Sequence, residues 1–428
     1  MLKIIIDILW STAIILLLGG GIYFTIKLSF PQFRLKKMIA GLKNDHNQEV
    51  SPFKSLTMSL AARIGVGSLA GIALAIYIGG PGTIFWIWVT SIFTSVNSFC
   101  ESYLGAKYQE KDGNAYKGGP AFYIDKGLKN KKLARIYALL IIVSYVVGFL
   151  TIQANTITKS MQEYVSLPPI IIGIILALIS GYIIWKGLDG IVAITSKMVP
   201  IMGGAYLITS LVIIFLNLKL LPGMIKLIIS SAFNIKTATS GILSTFIIGI
   251  QRGIFSTEAG LGSGAIASST SSVKNKIELG LVQILGIYFT SFIICTSTAF
   301  IILMSDYTTI NFQDINGIEL TQYALSYHLG KFGIVFLILS IISFAFSTII
   351  AGYYYGESNL KYLVKNLSNK KLNLFKCLTV ILLIFGSIIS PTILWNIIDI
   401  LVACLAVINM YSLIKLRKEI IFDYKKNK

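Results

Sequence analysis

The chain has 428 residues, of which 55% are hydrophobic and 13% are charged, and its mean hydropathy is +0.78. Apolar runs long enough to cross a hydrocarbon core of about 30 Å as helices recur along its whole length. This composition excludes a soluble globular protein. The formal net charge of +19 does not indicate a nucleic-acid partner, because the Lys and Arg residues lie between the apolar runs, where membrane topology explains them.

Hydrolase and metalloenzyme chemistry lacks its usual residues in this sequence. The only two histidines, His46 and His328, fall in connecting segments, and the four cysteines lie far apart in apolar runs without a CxxC pair. Such cysteines are expected to be small buried residues. The chain is therefore predicted not to be an enzyme and to carry no cofactor.

The first apolar run, from Ile4 to Leu28, follows Lys3 and has no small-residue cleavage site at its end, so it is predicted to be a retained span. Ten further spans follow it. They cover residues 53–77, 83–106, 134–161, 168–185, 195–217, 240–268, 278–304, 331–354, 375–390 and 393–414. The predicted fold class is an all-α membrane protein of about eleven transmembrane helices.

Orientation is predicted from the basic residues, which accumulate on the cytoplasmic side of membranes. With the N-terminus outside, most of the 37 Lys and Arg residues fall in cytoplasmic segments. We therefore expect a multi-pass protein of the cell membrane with a cytoplasmic C-terminus. The loop that carries Asp306, Asp314 and Glu319 then lies outside, and its stretch from Gly317 to Leu329 is predicted to form a short external helix.

Two spans share a pattern that ordinary lipid-facing helices lack. Each is interrupted by glycines and carries an arginine near its middle, Arg63 in the first and Arg252 in the second. Arg, Ala-Gly and the following aliphatic residue align at one offset of 189 residues, with Ser68 opposite Thr257. Each pattern opens a set of five spans, and an odd number per set forces the second set into the opposite orientation. The sequence therefore predicts an inverted repeat.

The repeat divides the chain into five parts. They are an extra span with a cytoplasmic linker over residues 1–52, a first five-helix repeat over 53–219, an external connector over 220–239, a second five-helix repeat over 240–415, and a basic cytoplasmic tail over 416–428. Unwinding a helix at mid-membrane frees backbone groups that lipid cannot satisfy. Half-helix N-termini suit a carboxylate, and freed carbonyls with nearby hydroxyls suit a small hard cation, so the two interruptions indicate a transport site.

On these residues the chain resembles the alanine or glycine:cation symporter family, whose members have the inverted-repeat fold of leucine-transporter-type carriers. The resemblance covers nearly the whole chain, with several long motifs in the family's order. They are Ala62-Arg63-Ile-Gly65-Val-Gly67-Ser68-Leu-Ala70-Gly71, Gly79-Gly80-Pro81-Gly82 with Phe85-Trp86-Ile-Trp88, Glu101, Gly118-Gly119-Pro120, Gln153-Ala154-Asn155, Arg252 to Ser263, and Phe344 to Glu357. The resemblance implies import of a small neutral amino acid by alternating access, driven by a cation gradient.

The resemblance also implies where the ligands bind. The substrate carboxylate would meet the first broken helix, its amino group and side chain would face the second, and a glutamine would hydrogen-bond the substrate. The implied substrate residues are Gly65, Gly67, Ser68, Gln153, Phe255, Ser256, Thr257 and Gly352. The fold's second sodium site would use carbonyls near Ala61 and Ile64 with the hydroxyls of Ser347 and Thr348.

Three positions depart from the family's pattern. Ser68 stands where members usually carry Asn, and Thr290 where they often carry Asp, at the fold's first sodium site. Losing an Asp removes a full negative charge from a cation site, so this site is predicted to be weakened, leaving one sodium ion or a proton as the coupling ion. Gly352 replaces a Trp that would face the substrate, which predicts a larger pocket and a substrate larger than alanine unless Tyr353 or another neighbour refills the space.

Five ionised side chains inside spans need partners, since a charge at mid-bilayer costs at least a few kcal/mol. They are Arg63, Glu101, Arg252, Glu258 and Asp399. For Arg252 and Glu258, a buried ion pair and a gating role both remain open. Glu101 or Glu258 would neutralise Arg63, or Arg63 would itself replace a bound cation.

The predicted function is thus a secondary active transporter, with an amino-acid sensor or a non-coupled carrier on the same fold as the alternative. A membrane enzyme would need His, Cys or paired carboxylates at one depth, and a channel would repeat a pore-lining motif around an oligomer axis. The sequence shows neither pattern. The expected partners are the amino acid and the lipid bilayer, not nucleic acid, and a monomer is compatible with a repeat inside one chain.

Overall fold

The structure is a computed structural model that describes residues 2–43, 50–113, 115–162, 164, 166–233, 241–271, 273, 275–309 and 317–426. Residues 44–49 of the predicted linker, which include His46, and residues 234–239 of the predicted connector lie outside the described residues. The same is true of Asp314. What is described is nearly all helical. The predicted helical class is confirmed.

Two helices precede the repeat, and the first five predicted spans of the repeat follow them. The elements up to the middle of the chain are α1 (Leu2–Lys27), α2 (Leu35–Lys43), α3 (Pro52–Arg63), α4 (Ile72–Gly79), α5 (Thr83–Lys107), β1 (Glu110–Asp112), β2 (Ala115–Lys117), α6 (Pro120–Lys126), α7 (Lys131–Ile142), α8 (Leu150–Gln162), α9 (Pro169–Trp185), α10 (Gly187–Leu216) and α11 (Leu221–Phe233).

The second half, like the repeat region of the first, begins with a broken helix, and it ends in an extra helix. Its elements are α12 (Gly241–Thr257), α13 (Ser263–Ser268), α14 (Lys276–Tyr288), α15 (Thr296–Leu303), α16 (Ile318–Leu329), α17 (Lys331–Leu363), α18 (Asn369–Ile388), α19 (Pro391–Lys415) and α20 (Arg417–Lys426). Wider π-helical turns join α4, α8 and α15 to the residues before them, at Gly67–Gly71, Val143–Phe149 and Phe289–Cys295.

Fewer helices are long enough to cross a membrane than the sequence predicts, because two of the apolar helices are short. Among the described residues, eight helices are long and apolar enough to cross, and the pair Pro52–Arg63 and Gly67–Gly79, bent by 56°, brings the number to nine. Pro169–Trp185 and Ile242–Thr257 are apolar but shorter. Each of the eleven predicted spans has a helical counterpart, but the count of eleven crossing helices is not confirmed.

A short helix lies between the second and third spans in each five-span set. The helix predicted at 317–329 is found as α16, and α6 occupies the equivalent place in the first set. The sequence did not predict α6 or the antiparallel hairpin before it, which pairs Glu110 with Lys117. Three-residue strands carry too little periodicity to be recognised.

Both predicted interruptions are real breaks in helices. Helix α3 begins at a Ser51 cap, whose Oγ accepts from the Lys54 N–H at 3.3 Å, and ends at Ile64, where ψ is 77°. The second break follows Thr257 and contains left-handed backbone at Glu258, Gly260 and Gly262. Glycine adopts such angles without the steric cost that a Cβ imposes, so the sequence pattern found the breaks.

The predicted basic tail is helix α20, which packs against the end of α5. Lys107 Nζ lies 2.5 Å from both Glu419 Oε1 and Asp423 Oδ2, and the Tyr103 hydroxyl donates to Asp423. Burial alone would raise the pKa of Asp423, but the hydrogen bonds from Lys107 and Tyr103 outweigh it, so this pKa lies below its ordinary value. The tail is therefore a docked helix and not a free basic segment.

Gly262 tests the importance of the second break. It has a φ of 91°, and a Cβ there would collide with Pro120 and with the Tyr137 hydroxyl. We expect Gly262→Ala to destabilise the protein by at least about 1–3 kcal/mol from backbone strain, measured by thermal unfolding in detergent. Gly204→Ala is the control, since a Cβ at that helical position has no atom within 4 Å. Equal stability of the two variants would contradict the assigned strain.

Candidate functional site

The first break is held by a side chain from α8. The Val66 N–H donates to Gln153 Oε1 at 3.1 Å, and a Cβ on Gly65 would collide with Thr348 Oγ1 and lie 3.2 Å from the Gln153 amide. Only glycine at position 65 lets α8 and α17 approach the backbone this closely. The structure thus brings together Gly65, Gln153 and Thr348.

The two breaks meet each other directly. Ser256 Oγ donates to the Gly67 carbonyl at 2.9 Å, and a Cβ on Gly67 would lie 2.9 Å from the ring of Phe255. Gly67 and Ser256 are 189 residues apart, which is the offset of the repeat, so equivalent positions of the two halves touch. Thr257 does not join this contact by its hydroxyl, which donates to Gly253 of its own helix at 2.8 Å.

Two hydroxyls of α17 converge on the end of α3. Thr348 Oγ1 lies 2.9 Å and Ser347 Oγ 3.2 Å from the Ala61 carbonyl. This donor set consists of uncharged oxygens, which suit a small hard cation. Ile64 ends the same helix in a non-helical conformation. Three of the predicted ligands of the second sodium site, Ala61, Ser347 and Thr348, therefore lie together, and their chemistry fits the ion.

The predicted residues of the first sodium site do not form such a group. Ser68 Oγ lies 3.4 Å from the Arg63 carbonyl, and the Ser68 carbonyl accepts from Thr298 Oγ1 at 2.9 Å. Thr290 is buried in the π-helical segment Phe289–Cys295, and its hydroxyl has no hydrogen-bond partner in the described part of the chain. Thr290 and Ser68 are therefore not hydrogen-bonded to each other in that part, although the segments that carry them, Gly67–Gly71 and Phe289–Cys295, pack against each other.

The space beside Gly352 is filled. A Cβ at this position would lie 2.8 Å from Leu150 Cδ1 and 3.5 Å from the ring of Tyr145. Tyr145 stacks on Phe149 at 4.7 Å, and Phe149 stacks on Phe255 at 5.1 Å between ring centroids. Leu150 therefore occupies the space directly beside Gly352, which favours refilling over a larger pocket at this position.

Arg252 finds its partner on α19. Its Nη2 lies 2.8 Å from Asp399 Oδ2, and its guanidinium sits 4.9 Å from the ring centre of Trp395, which packs against Phe255 at 5.0 Å. A buried ion pair is thus formed, and its acid is Asp399 and not Glu258. Trp395 and Phe255 thus connect this pair to Gly67, where the two breaks meet.

The second break is held by residues of three other helices. Gly262 N–H donates to Glu101 Oε2 at 2.9 Å, and Asn409 Nδ2 donates to both Glu101 Oε2 and the Gly260 carbonyl at 2.9 Å. The Tyr137 hydroxyl donates to the Leu261 carbonyl. Side chains therefore satisfy backbone groups that the sequence reading assigned to ligands. Asn409 was missed, although an amide inside an apolar span is itself a signal of function or structure.

The hydrogen-bond partners of the Arg63 side chain are neutral groups. Its Nη2 donates to Ser98 Oγ at 3.1 Å, and its Nη1 lies 3.5 Å from Gln283 Oε1. No carboxylate oxygen of the described residues comes within 4.0 Å of its guanidinium nitrogens. Glu101 nevertheless lies near it, since a Cβ on Gly264 would stand 2.6 Å from Arg63 Nη2 and 3.0 Å from Glu101 Oε1, so neutralisation of Arg63 by a nearby carboxyl group stays a prediction. Glu258 instead accepts from Ser263 Oγ at 2.6 Å.

The whole chain, residues 1–428, matches the sodium:alanine symporter family. The chain belongs to this family. It is accordingly a cation-coupled amino-acid transporter of the membrane and not an enzyme. The family resemblance predicted from the motifs is confirmed.

Individual relatives in the sodium:alanine symporter family match over almost their full length. The chain is 37% identical over 408 residues to the amino-acid carrier protein AlsT of Bacillus subtilis, covering 94% of this chain and 86% of the relative. It is 37% identical over 433 residues to the probable sodium/glutamine symporter GlnT of the same organism, covering 99% and 90%. It is 30% identical over 426 residues to the sodium/alanine symporter AgcS of Methanococcus maripaludis, covering 96% and 93%.

A solved structure supports the fold alone. A sodium-coupled sialic acid symporter in a substrate-bound outward-open state superposes with a TM-score of 0.55 at 12% sequence identity, covering 88% of this chain and 81% of that chain. The predicted transporter fold of this symporter-family chain is therefore confirmed, while the low identity carries no inference about ligands.

The Arg252–Asp399 pair gives a stability prediction. Asp399→Asn leaves a buried guanidinium without its counter-charge, so we expect a loss of about 3–5 kcal/mol in thermal unfolding. The double variant Arg252→Gln, Asp399→Asn should recover part of that loss. Glu110→Gln is the control, because it breaks a pair with Lys126 whose side chains are 45% and 41% exposed, and such pairs contribute little. An Asp399→Asn protein as stable as this control would refute the assignment.

Proposed function

We propose that this chain imports a small neutral amino acid, such as alanine or glycine, together with sodium by alternating access. The observation that carries the proposal is the meeting of the two broken helices at Gly67 and Ser256, with Gln153 on the first break. The names of AlsT, GlnT and AgcS, an amino-acid carrier and two sodium-coupled symporters, support the same class of cargo.

The first break supplies the recognition of a carboxylate. Gly65 and Gly67 present backbone without side chains, and Val66 N–H is already engaged by the Gln153 amide. A substrate carboxylate would take over that N–H, and the partial positive charge of the helix that begins there would stabilise it. Gln153 would then be free to hydrogen-bond the substrate, so the same side chain serves the empty and the occupied site.

The side chains beside Gly67 and Gly352 limit the size of the substrate. Phe255 closes over Gly67, and Leu150 fills the space beside Gly352. Both contacts bring side chains close to the glycines that are proposed to face the substrate, which favours a small one. We therefore place alanine and glycine ahead of larger amino acids as substrates.

Sodium would act at Ala61, Ser347 and Thr348. These groups join α3, which ends at the first break, to α17, and an ion bound between them would hold the two helices together. Sodium binding would thus stabilise the geometry of Gly65 and Gly67, which is a direct physical route to coupling. At the first sodium site a full carboxylate is missing, so one sodium ion per substrate is the expected stoichiometry, with a proton as the alternative coupling ion.

The Arg252–Asp399 pair is proposed to close the site on one side. Helix α12 begins outside if the N-terminus is external and the C-terminus cytoplasmic, as the basic residues predict. Arg252 then lies on the external side of Phe255, and separation of the pair with Trp395 would open the path. The contact between Arg252 and Asp399 would then be both a structural ion pair and the gate.

Uptake by the purified chain in proteoliposomes tests the transport proposal. We expect labelled alanine to accumulate under an inward sodium gradient and not under an equal potassium gradient. Binding of alanine without accumulation would favour the sensor, and accumulation without sodium dependence would favour the non-coupled carrier.

The sodium residues are tested by removing one hydroxyl. Thr348→Val keeps the shape of the side chain but removes a proposed ligand, so the sodium concentration for half-maximal uptake should rise by at least about tenfold, the equivalent of roughly 1.4 kcal/mol. Ser340→Ala is the control on the same helix, because its hydroxyl only returns to the Phe336 carbonyl at 2.8 Å. An unchanged sodium dependence in Thr348→Val would exclude this site.

Coupling stoichiometry is a separate prediction. If the first sodium site is weakened at Ser68 and Thr290, the reversal potential of alanine flux should shift with the sodium gradient as expected for one ion per substrate. Two sodium ions per substrate would show that hydroxyls at these positions suffice.

A further inference from the structure

The cluster of Arg63, Glu101 and Glu258 has an unbalanced charge. These side chains are 1%, 0% and 1% exposed. With both carboxyl groups ionised, the cluster would hold one negative charge in excess, away from water, which is unfavourable. The other titratable groups that face it are uncharged at neutral pH. They are Cys100, Tyr123, Tyr137, Tyr145 and Tyr355.

Both carboxyl groups lie against consecutive residues of the second break. Glu101 Oε2 accepts from Gly262 N–H at 2.9 Å, and Glu258 Oε2 accepts from Ser263 Oγ at 2.6 Å. The other oxygen of each group, Oε1, is buried and has no hydrogen-bond partner in the described part of the chain. A buried carboxylate oxygen without a donor is costly, whereas a protonated carboxyl group carries its own donor.

A proton fits this cluster better than a metal ion. No group of three or more His, Cys, Asp or Glu residues suited to a metal occurs within the described ranges. The point where a Cβ of Gly264 would stand lies 2.6 Å from Arg63 Nη2 and 3.0 Å from Glu101 Oε1. A second cation beside this guanidinium would be repelled, but a proton on a carboxyl group needs no coordination shell.

We propose that Glu101 and Glu258 share a single proton at neutral pH, and that they form a proton-binding site beside the second break. The site is separate from the hydroxyl pair at Ser347 and Thr348, and it requires neither the proposed substrate nor sodium. Two carboxyl groups in one site titrate as a pair, with the first ionisation easy and the second opposed by the charge already present. Loss of the proton would place two charges against one loop and favour its rearrangement.

Infrared spectroscopy of the ligand-free protein in detergent tests the occupancy. The wild type should show the carbonyl stretch of one protonated carboxyl group at neutral pH. Glu258→Gln and Glu101→Gln should each lose it, because one remaining carboxylate balances Arg63. Glu110→Gln, which changes an exposed glutamate, should retain it. Absence of the band in the wild type, or its persistence in both cluster variants, would overturn the proposal.

The pH dependence of stability provides an independent measurement. The folded protein would hold a proton that the unfolded chain releases above the ordinary Glu pKa of about 4.3. Stability should therefore fall as pH rises, with the unfolding constant changing by about tenfold more per pH unit in the wild type than in either cluster variant. Melting temperatures between about pH 6 and pH 8 measure this slope. Parallel slopes in the wild type and in whichever cluster variant folds would refute the shared proton.

Discussion

Backbone polar groups inside a membrane must be satisfied, and this constraint determines the centre of the molecule. Two helices end inside predicted spans, after Arg63 and after Thr257, and each end frees N–H and carbonyl groups that lipid cannot bond. In the structure, side chains from other helices bond them. Gln153 does so at the first break and Asn409 at the second. The long helices around them therefore serve as supports for two short stretches of irregular backbone.

The predicted inverted repeat would explain why those stretches come together. A pseudo-two-fold axis in the membrane plane would bring equivalent positions of the two halves face to face, and Gly67 and Ser256, which lie at the offset of the repeat, are in contact. At that contact the halves differ, because a hydroxyl stands opposite a bare backbone. In the proposed site, the first half would supply the small groups that admit a ligand and the second half the groups that cover it. The π-helical turns at Gly67–Gly71 and Phe289–Cys295 lie next to the same region, where wider helical turns are often functional.

Sequence reasoning was strongest where a physical rule acts on neighbouring residues. Hydropathy predicted the helices, and glycines beside an intramembrane arginine predicted both breaks and hence the repeat. It was weaker for contacts between distant segments. It required a partner for Arg252 but could not find Asp399, since nothing local links positions 147 residues apart. It weighed a larger pocket at Gly352 against refilling, and only packing shows that Leu150 fills the space. The docking of α20 likewise depends on Lys107, which charge counting assigned to topology.

The hydrogen bonds that satisfy the breaks affect the difference in free energy between the empty and the loaded carrier. A ligand that filled an unsatisfied site would gain the full value of each hydrogen bond, and an empty site would be costly to maintain in the membrane. Here Gln153 and the hydroxyls of Ser347 and Thr348 bond the first break themselves. Ligands would exchange with these bonds, so the empty and loaded forms would differ little in free energy. Small differences are what a carrier needs, because it must return empty as readily as it crosses loaded.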